Sequence, residues 1–565
     1  LAGPQALTPQ PSDAVIRFEP DGYDLNSPRM LGRVSAGHGF LRAAVRGRGE
    51  GPVYGYTARP VSAQAFGRMV RDFDPAAEPA WIQGEQLDRI AETRGVLYVA
   101  DPNLPAASRA RLRVGSARYS LCGVTHTLSS LGAQQCVAEL LTEAVMPWDA
   151  LVCTSSAALQ AVETILEAQA DFLRWRFGPE IALRRPQLPV IPLGVNCDDF
   201  AFSAAQKARA RRAIEIADDE MAALYVGRLV YTGKAHPFPA FLALQAAAER
   251  SGRKLVFILC GRAPDQAHEA NYLAGAAAYA PDVRIVQLDS RDDAARRCAW
   301  AAGDIFISLA DSVQETFGLT PVEAMAAGLP AVVSDYNGYR DTVRDGVDGF
   351  RIATLAPEPG LGGRAFALRH ELGMLNNGEY YWMAASATSV DLRQLTERLT
   401  ALVEQPELRR SLGAAGQARA RALYDWPQIF GRYRALWGEL NAARRAVTVD
   451  PDTFIWAARA PRQPPSRLDP FEAFGHYTTA RIGRETRFAL APGVTPEIYR
   501  NRRDSQLFPQ GHVPEPAVLA MWAELEAGPA SVADLAVAAK LSPGWAAICL
   551  GALAKMGLVE RDLAD

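Results

Sequence analysis

Residues 305–334, IFISLADSVQETFGLTPVEAMAAGLPAVVS, decide the fold. An apolar run from Ile305 to Ala310 is followed by a polar loop, and a helical stretch leads through Gly328 to a second apolar run. Short runs that are apolar on both faces and separated by helices are how the strands of a parallel sheet read. In the helix, Thr320 suits the N-cap, Pro321 the first helical position, Glu323 the third and Gly328 the exit. On that reading Glu323 closes a capping box with the backbone N–H of Thr320. Glu315 has no such structural task. It lies in the loop at the carboxyl end of a strand, where open α/β sheets bind ligands.

The same alternation extends in both directions. AVIRFEP, GPVYGYTAR, GVLYVAD, YSLCGVTH, ALVCTS and LPVIPLGV precede it, and after a join near Asn196–Asp199 it restarts with MAALYVGRL, KLVFILCG and VRIVQLD. Two successive α/β units imply two doubly wound domains facing a cleft, over 1–196 and 197–425. The stretch WPQIFGRYRALWGELNAAR, about 426–445, reads as a terminal helix that crosses back to the first domain. Residues 446–510 are proline-rich and connector-like. Residues 511–565 read as helix, turn, helix and a terminal GLVE, a winged-helix-like α unit.

Composition narrows the function. A net charge of −3 argues against a chain devoted to nucleic acid, and residues 511–565 hold three bases against seven acids, the wrong sign for neutralising phosphates. Seven cysteines, odd in number and without a C-x-x-C pair, read as thiols in a reducing compartment, so the expected location is the cytoplasm. No apolar run is long enough to span a bilayer. The opening LAGPQALTPQPSDAV has no signal-peptide pattern and lacks an initiator Met. Two basic stretches, 109–119 and 174–186, are read as solvated surface, with anionic lipid headgroups or a phosphorylated acceptor as the alternative.

A second element, YVGRLVYTGKAHP, places Arg228 and Lys234 in one loop after a strand. Only five of the 60 cationic residues are lysine, so a compact ammonium at position 234 stands out in a chain that otherwise uses arginine. Lysine meets phosphate as a point charge, whereas arginine forks across two oxygens. The TFGLT turn, Thr316 to Thr320, adds backbone N–H groups and a helix N-terminus, an anion site. Two carboxylates beside such a site suit the hydroxyls of a sugar and a ribose flanking a diphosphate.

Together VGRL…K, the glutamates of ETFGLTPVE and the run AMAAGLPAVVSDYNGYRDTVRDGVDGF resemble the retaining GT-B glycosyltransferases of family 4. The likeness is strong over about residues 188–355. It implies an α/β GT-B fold of two Rossmann-like domains and metal-independent transfer of a hexose-like residue, with retention, from a nucleotide-diphosphate sugar. The acceptor would be a carbohydrate or a lipid-linked or protein-linked glycan. No cofactor beyond the donor substrate and no metal is implied. Carried over, Glu315 contacts the transferred sugar, Glu323 the ribose, and Arg228 and Lys234 the diphosphate, with Phe317, Gly318, Leu319 and Thr320 forming the donor turn. The lysine follows the arginine by six residues where the family usually has five. His126, ending the strand YSLCGVTH, is either a structural hydrogen-bonder or the histidine that relatives often place facing donor sugar and acceptor. In MLGRVSAGHGF, Gly32 matches the first loop that approaches the donor phosphate, with Gly37 and Gly39 as alternatives and ordinary helix glycines as the bland reading. Alternatives for the whole chain are a sugar-nucleotide 2-epimerase on the same scaffold and a non-catalytic sugar-nucleotide-binding scaffold protein. Peripheral contact with the inner face of a membrane, and a protein partner for the C-terminal module, complete the expectations; no nucleic acid is expected.

Overall fold

The computed structural model describes residues 11–25, 32–57, 59–447, 449–505, 507 and 514–562. The first ten residues, part of the opening read for a leader, and residues 30 and 31 of the first glycine-containing loop lie outside the described residues. Contacts divide the chain into Leu1–Pro464 and Pro465–Asp565.

The first unit holds two six-stranded sheets. One consists of β1 (Val15–Arg17), β2 (Val53–Thr57), β3 (Pro79–Gln83), β4 (Val96–Val99), β5 (Ser120–Val124) and β6 (Ala150–Val152). The other consists of β7 (Met221–Val226), β8 (Leu255–Cys260), β9 (Val283–Leu288), β10 (Ile305–Ser308), β11 (Ala331–Ser334) and β12 (Gly349–Ile352). Every pairing is parallel. The strand orders are 3-2-1-4-5-6 and 12-11-10-7-8-9, the same Rossmann winding used twice. The GT-B architecture expected from the sequence is therefore the one observed. Strands β4, β5, β8, β10 and β11 are buried at every residue, which explains their unbroken apolar runs.

In each sheet the order reverses between the first and fourth strands, which opens a crevice at their carboxyl ends. In the second sheet these are β7 and β10, in register at Ile305 with Ala223 and Phe306 with Leu224. The loops that follow β7 and β10 carry Arg228, Lys234 and Glu315. The fold thus converges the motifs by topology alone.

The helix Trp426–Ala446 packs in the core of the N-terminal sheet, where Trp426, Phe430, Tyr433 and Trp437 gather around Phe40. Phe40 also stacks on Tyr98 at 4.1 Å. The basic stretch 109–119 is solvated only in part: Arg113 and Arg118 are exposed, whereas Arg111 is not. Arg111 is fully buried and forks onto Asp149 at 2.6 and 2.8 Å, with the carbonyls of Tyr119 and Ala144 as further acceptors. Arg109 pairs with Glu143 and Arg118 with Asp88.

The second unit contains the strand Arg487–Leu490, which pairs antiparallel with Ala530–Ser531 and with Val559–Arg561. That strand falls in the stretch read as connector, because its partners lie about 40 and 70 residues further on and leave no local signal. The helices Val532–Ala538 and Pro543–Lys555 are bent by 102° across a short turn, the geometry of a helix-turn-helix. With the three-stranded sheet this is a winged-helix arrangement rather than a purely helical unit. Its second helix exposes Trp545 and Ile548 and has Lys555 as its one charged residue.

Candidate active site

The cleft at the switch point encloses a cavity of about 490 Å³, within the range of small-ligand sites. Gly32, Arg228, Lys234, Leu319, Thr320 and Glu323 all line it. Its walls carry five cationic side chains, Arg42, Arg228, Lys234, Arg296 and Arg297, against the acids Asp199, Asp293 and Glu323. The balance favours an anionic ligand.

Each side chain is placed by local geometry. Beyond β7, a Cβ at Gly261 would meet the Gly227 carbonyl oxygen at 2.0 Å, so only glycine lets the ends of β7 and β8 lie this close. The backbone N–H groups of Gly233 and Lys234 then donate to the Val230 carbonyl at 3.2 and 3.0 Å. This turn brings the lysine back over the cleft. The Lys234 ammonium donates to Glu315 Oε2 at 2.6 Å, and Arg228 Nη2 donates to Gln314 Oε1 at 3.1 Å. Asp311 completes the stitching, accepting the His236 backbone N–H at 3.0 Å while its own N–H donates to the Lys234 carbonyl at 3.4 Å.

The capping box expected at Thr320 does not form. The helix runs Leu319–Ala326 with Gly318 as its N-cap at φ +84°, and no side chain caps it. Gly318 can adopt that left-handed conformation, and a Cβ there would meet the Tyr339 ring at 2.0 Å. The helix therefore begins before Thr320, and Glu323 falls two positions further in, free of the cap and facing the cavity. The exit at Gly328 is a Schellman turn: Leu329 N–H donates to Ala324 at 2.9 Å and Gly328 N–H to Met325 at 3.0 Å. Phe317 is buried in the core and shapes the turn rather than the cavity wall.

The acids differ electrostatically. Burial pushes Glu323 up to about 7, only partly opposed by Arg296. Burial also works against ionisation of Glu315, but the Lys234 charge and hydrogen bond, with the Phe317 and Thr316 backbone N–H groups, outweigh it and hold the carboxyl below its ordinary value. Asp311 is pushed up to about 7 by burial, offset in part by the His236 N–H.

Glu315 adjoins the cavity through Lys234 and does not line it. His126 lies apart from it, with Nε2 3.0 Å from the Ala100 carbonyl. A carbonyl only accepts, so Nε2 carries the proton and Nδ1 is the open acceptor. Burial lowers the His126 pKa, against the Ala100 hydrogen bond and Asp101. Gly32 opens the helix Gly32–Arg46 with open space around its Cα, at the cavity. Gly37 packs away from the cavity, where a Cβ would strike the Gly22 carbonyl at 2.1 Å, while Gly39 lines the cavity and also packs on Trp426, whose indole a Cβ would strike at 2.4 Å. Sequence reading missed Asp311, Gln314 and Arg296. Gln314 and Asp311 stood in the same loop as Glu315, but only the fold shows that they grip the loop after β7.

Part of the chain that carries these loops is similar to known proteins. The glycosyl transferases group 1 family matches residues 206–358, which include both loops. An uncharacterized glycosyltransferase of Methanocaldococcus jannaschii is 29% identical over 174 residues, 30% of this chain and 42% of that protein. The phosphatidyl-myo-inositol mannosyltransferase of Mycobacterium tuberculosis is 24% identical over 363 residues, 63% of this chain and 76% of the relative. The crystal structure of HepE from Anabaena, in complex with UDP-glucose, covers 78% of this chain and 99% of its own, at 15% identity and a TM-score of 0.44. The two parallel six-stranded sheets form a GT-B fold, and residues 206–358 are similar to the glycosyl transferases of group 1.

Proposed function

We propose that the protein transfers a hexose-like residue, with retention and without a metal, from a nucleoside diphosphate sugar to a carbohydrate or glycoconjugate acceptor. The observation that carries this reading is the convergence of Arg228, Lys234 and Glu323 on one cavity at the switch point. The two cations receive the diphosphate, and Glu323 accepts hydrogen bonds from ribose hydroxyls. Lysine has three donors, so Lys234 keeps its bond to Glu315 while it meets a phosphate oxygen. As the bond between the anomeric carbon and the diphosphate breaks, negative charge grows on the departing oxygen, and preorganised cations stabilise it without reorganisation. The acceptor oxygen bonds to the anomeric carbon on the same face, and its proton passes to the departing phosphate. Charge stabilisation here comes from side chains, which supports metal independence.

The mycobacterial relative is named for an inositol phospholipid acceptor, which supports a lipid-linked glycoconjugate as the acceptor. No single helix among the described residues is long and apolar enough to cross a membrane. The helix Ser156–Phe177 ends with Phe172, Trp175 and Phe177 exposed beside Arg174 and Arg176, which supports peripheral contact with an anionic lipid surface. Co-sedimentation with vesicles containing phosphatidylglycerol, lost in Trp175→Ser, tests that contact.

The functional test is release of nucleoside diphosphate from a panel of nucleotide sugars in the presence of a chelator. Release is expected with at least one donor, dependent on acceptor and abolished in Arg228→Ala. Donor conversion without acceptor would favour the epimerase. Binding without release would favour the scaffold.

A further inference from the structure

We propose that Asp341 is a positioning residue that latches the two Rossmann-like domains together and so sets the loop bearing Glu315 and Lys234 against the acceptor side. This rests on the glycosyltransferase reading for its catalytic consequence, though not for the latch itself.

The helix Ser156–Phe177 of the N-terminal domain is 22 residues long, and its amino end carries the partial positive charge of unpaired N–H groups. Ser155 caps it within its own domain, accepting from the Ala158 N–H at 3.0 Å. The other partners come from across the cleft. The Ser156 backbone N–H and hydroxyl both donate to the Asp341 carboxylate at 2.6 Å. The Ser155 hydroxyl also donates to the Thr316 carbonyl at 2.6 Å, one residue from Glu315. A carboxylate of one domain thus closes the helix end of the other with short, charge-assisted bonds.

The latch leads directly to the site. The Asp341 carbonyl is itself fixed by Tyr424 Oη and Arg419 Nη2, each at 3.0 Å. Asp341 lies in the turn of helix Tyr339–Thr342, behind Gly338 and Tyr339. A Cβ at Gly338 would meet the Thr316 carbonyl oxygen at 2.4 Å, and the Tyr339 ring covers Gly318 and lines the cavity. Moving Asp341 therefore moves the turn from Thr316 to Gly318, and with it Glu315 and its bond to Lys234. Arg228, Lys234 and Glu323, the main donor contacts, reside in the C-terminal domain, whereas transfer needs the N-terminal domain in register. Loss of the latch should act on turnover more than on donor binding.

The experiment uses the full chain as wild type, Ser156→Ala, Asp341→Ala and the pair. Transfer kinetics, calorimetric binding of nucleoside diphosphate, and small-angle scattering with diphosphate bound are measured on each. The expected result is a kcat lowered about 10- to 100-fold in Asp341→Ala, with diphosphate affinity within about threefold of wild type and a larger radius of gyration. The double variant should be no worse than Asp341→Ala alone, because both changes cut one interaction. A kcat within about twofold of wild type, or additive losses in the pair, would overturn the latch. If wild type transfers nothing from any donor, the enzymatic reading fails separately. Scattering then decides the latch, and an unchanged radius in Asp341→Ala rejects it.

Discussion

Lys234 and Glu315 form an ion pair of 2.6 Å between the loops that follow β7 and β10, with the glutamate the more buried partner. The pair spans the switch point of the second sheet, so it fixes the separation of the two loops that must enclose a diphosphate.

Replacing Lys234 with Met should weaken nucleoside diphosphate binding about 10- to 100-fold, the worth of one charge-assisted bond of about 1.5–3 kcal/mol. It should also leave Glu315 buried and unpaired. Glu315 is held below its ordinary value, so its stabilising share is full above the ordinary glutamate range and is lost as pH falls through the lowered value. Chemical denaturation at neutral and acid pH checks this: the gap between wild type and Lys234→Met should narrow on acidification.

The Glu323 carboxyl predicts two pH effects of opposite sign. It is raised from 4.5 to about 7, so across that window the folded chain keeps a proton that the unfolded chain has lost, and stability falls as pH rises. Glu323→Gln should remove that share of the slope, with the Asp311 share remaining, and gain on wild type as pH passes from about 5 to about 8. Donor affinity of wild type should rise over roughly pH 6 to 8 as the carboxylate forms and accepts from ribose hydroxyls, and Glu323→Gln should lose that rise.

Gly318→Ala tests the helix start. The alanine must adopt φ +84° and place its Cβ against the Tyr339 ring. A loss of about 2–5 kcal/mol is expected from the left-handed conformation and the overlap together, read from the denaturant midpoint.

The buried pair of Arg111 and Asp149 is a structural counterpart, remote from the cleft motifs. Asp149→Ala should cost about 3–5 kcal/mol because it strands a buried guanidinium, and Arg111→Met with Asp149→Leu should recover much of that loss.

Much of both Rossmann windings was legible because strands such as β4, β5, β8, β10 and β11 are buried on two faces and read as continuous apolar runs, whereas the edge strand Pro79–Gln83, half-exposed along most of its length, carries no such run and was not read. Arg228, Lys234 and Glu323 were legible as motif residues because strand-end loops meet at a switch point in any such sheet. The capping of Leu319–Ala326 was not, since Thr320, Pro321 and Glu323 fit a local rule that Gly318 overrides through contact with Tyr339, 21 residues on. Asp311 was hidden for the same reason: its burial and its hold on His236 arise only when the loop after β7 folds over it. The strand Arg487–Leu490 needed partners far along the chain, and proline-rich surroundings masked it.

Whether a pyrophosphate is held between Arg228 and Lys234 is read by calorimetry in a chelator with UDP, GDP and ADP, each against its nucleoside. At least one diphosphate should bind wild type about tenfold or more tightly than its nucleoside, and Arg228→Ala with Lys234→Met should abolish the difference. Equal binding of diphosphate and nucleoside to wild type, or a preference that survives both substitutions, would contradict it.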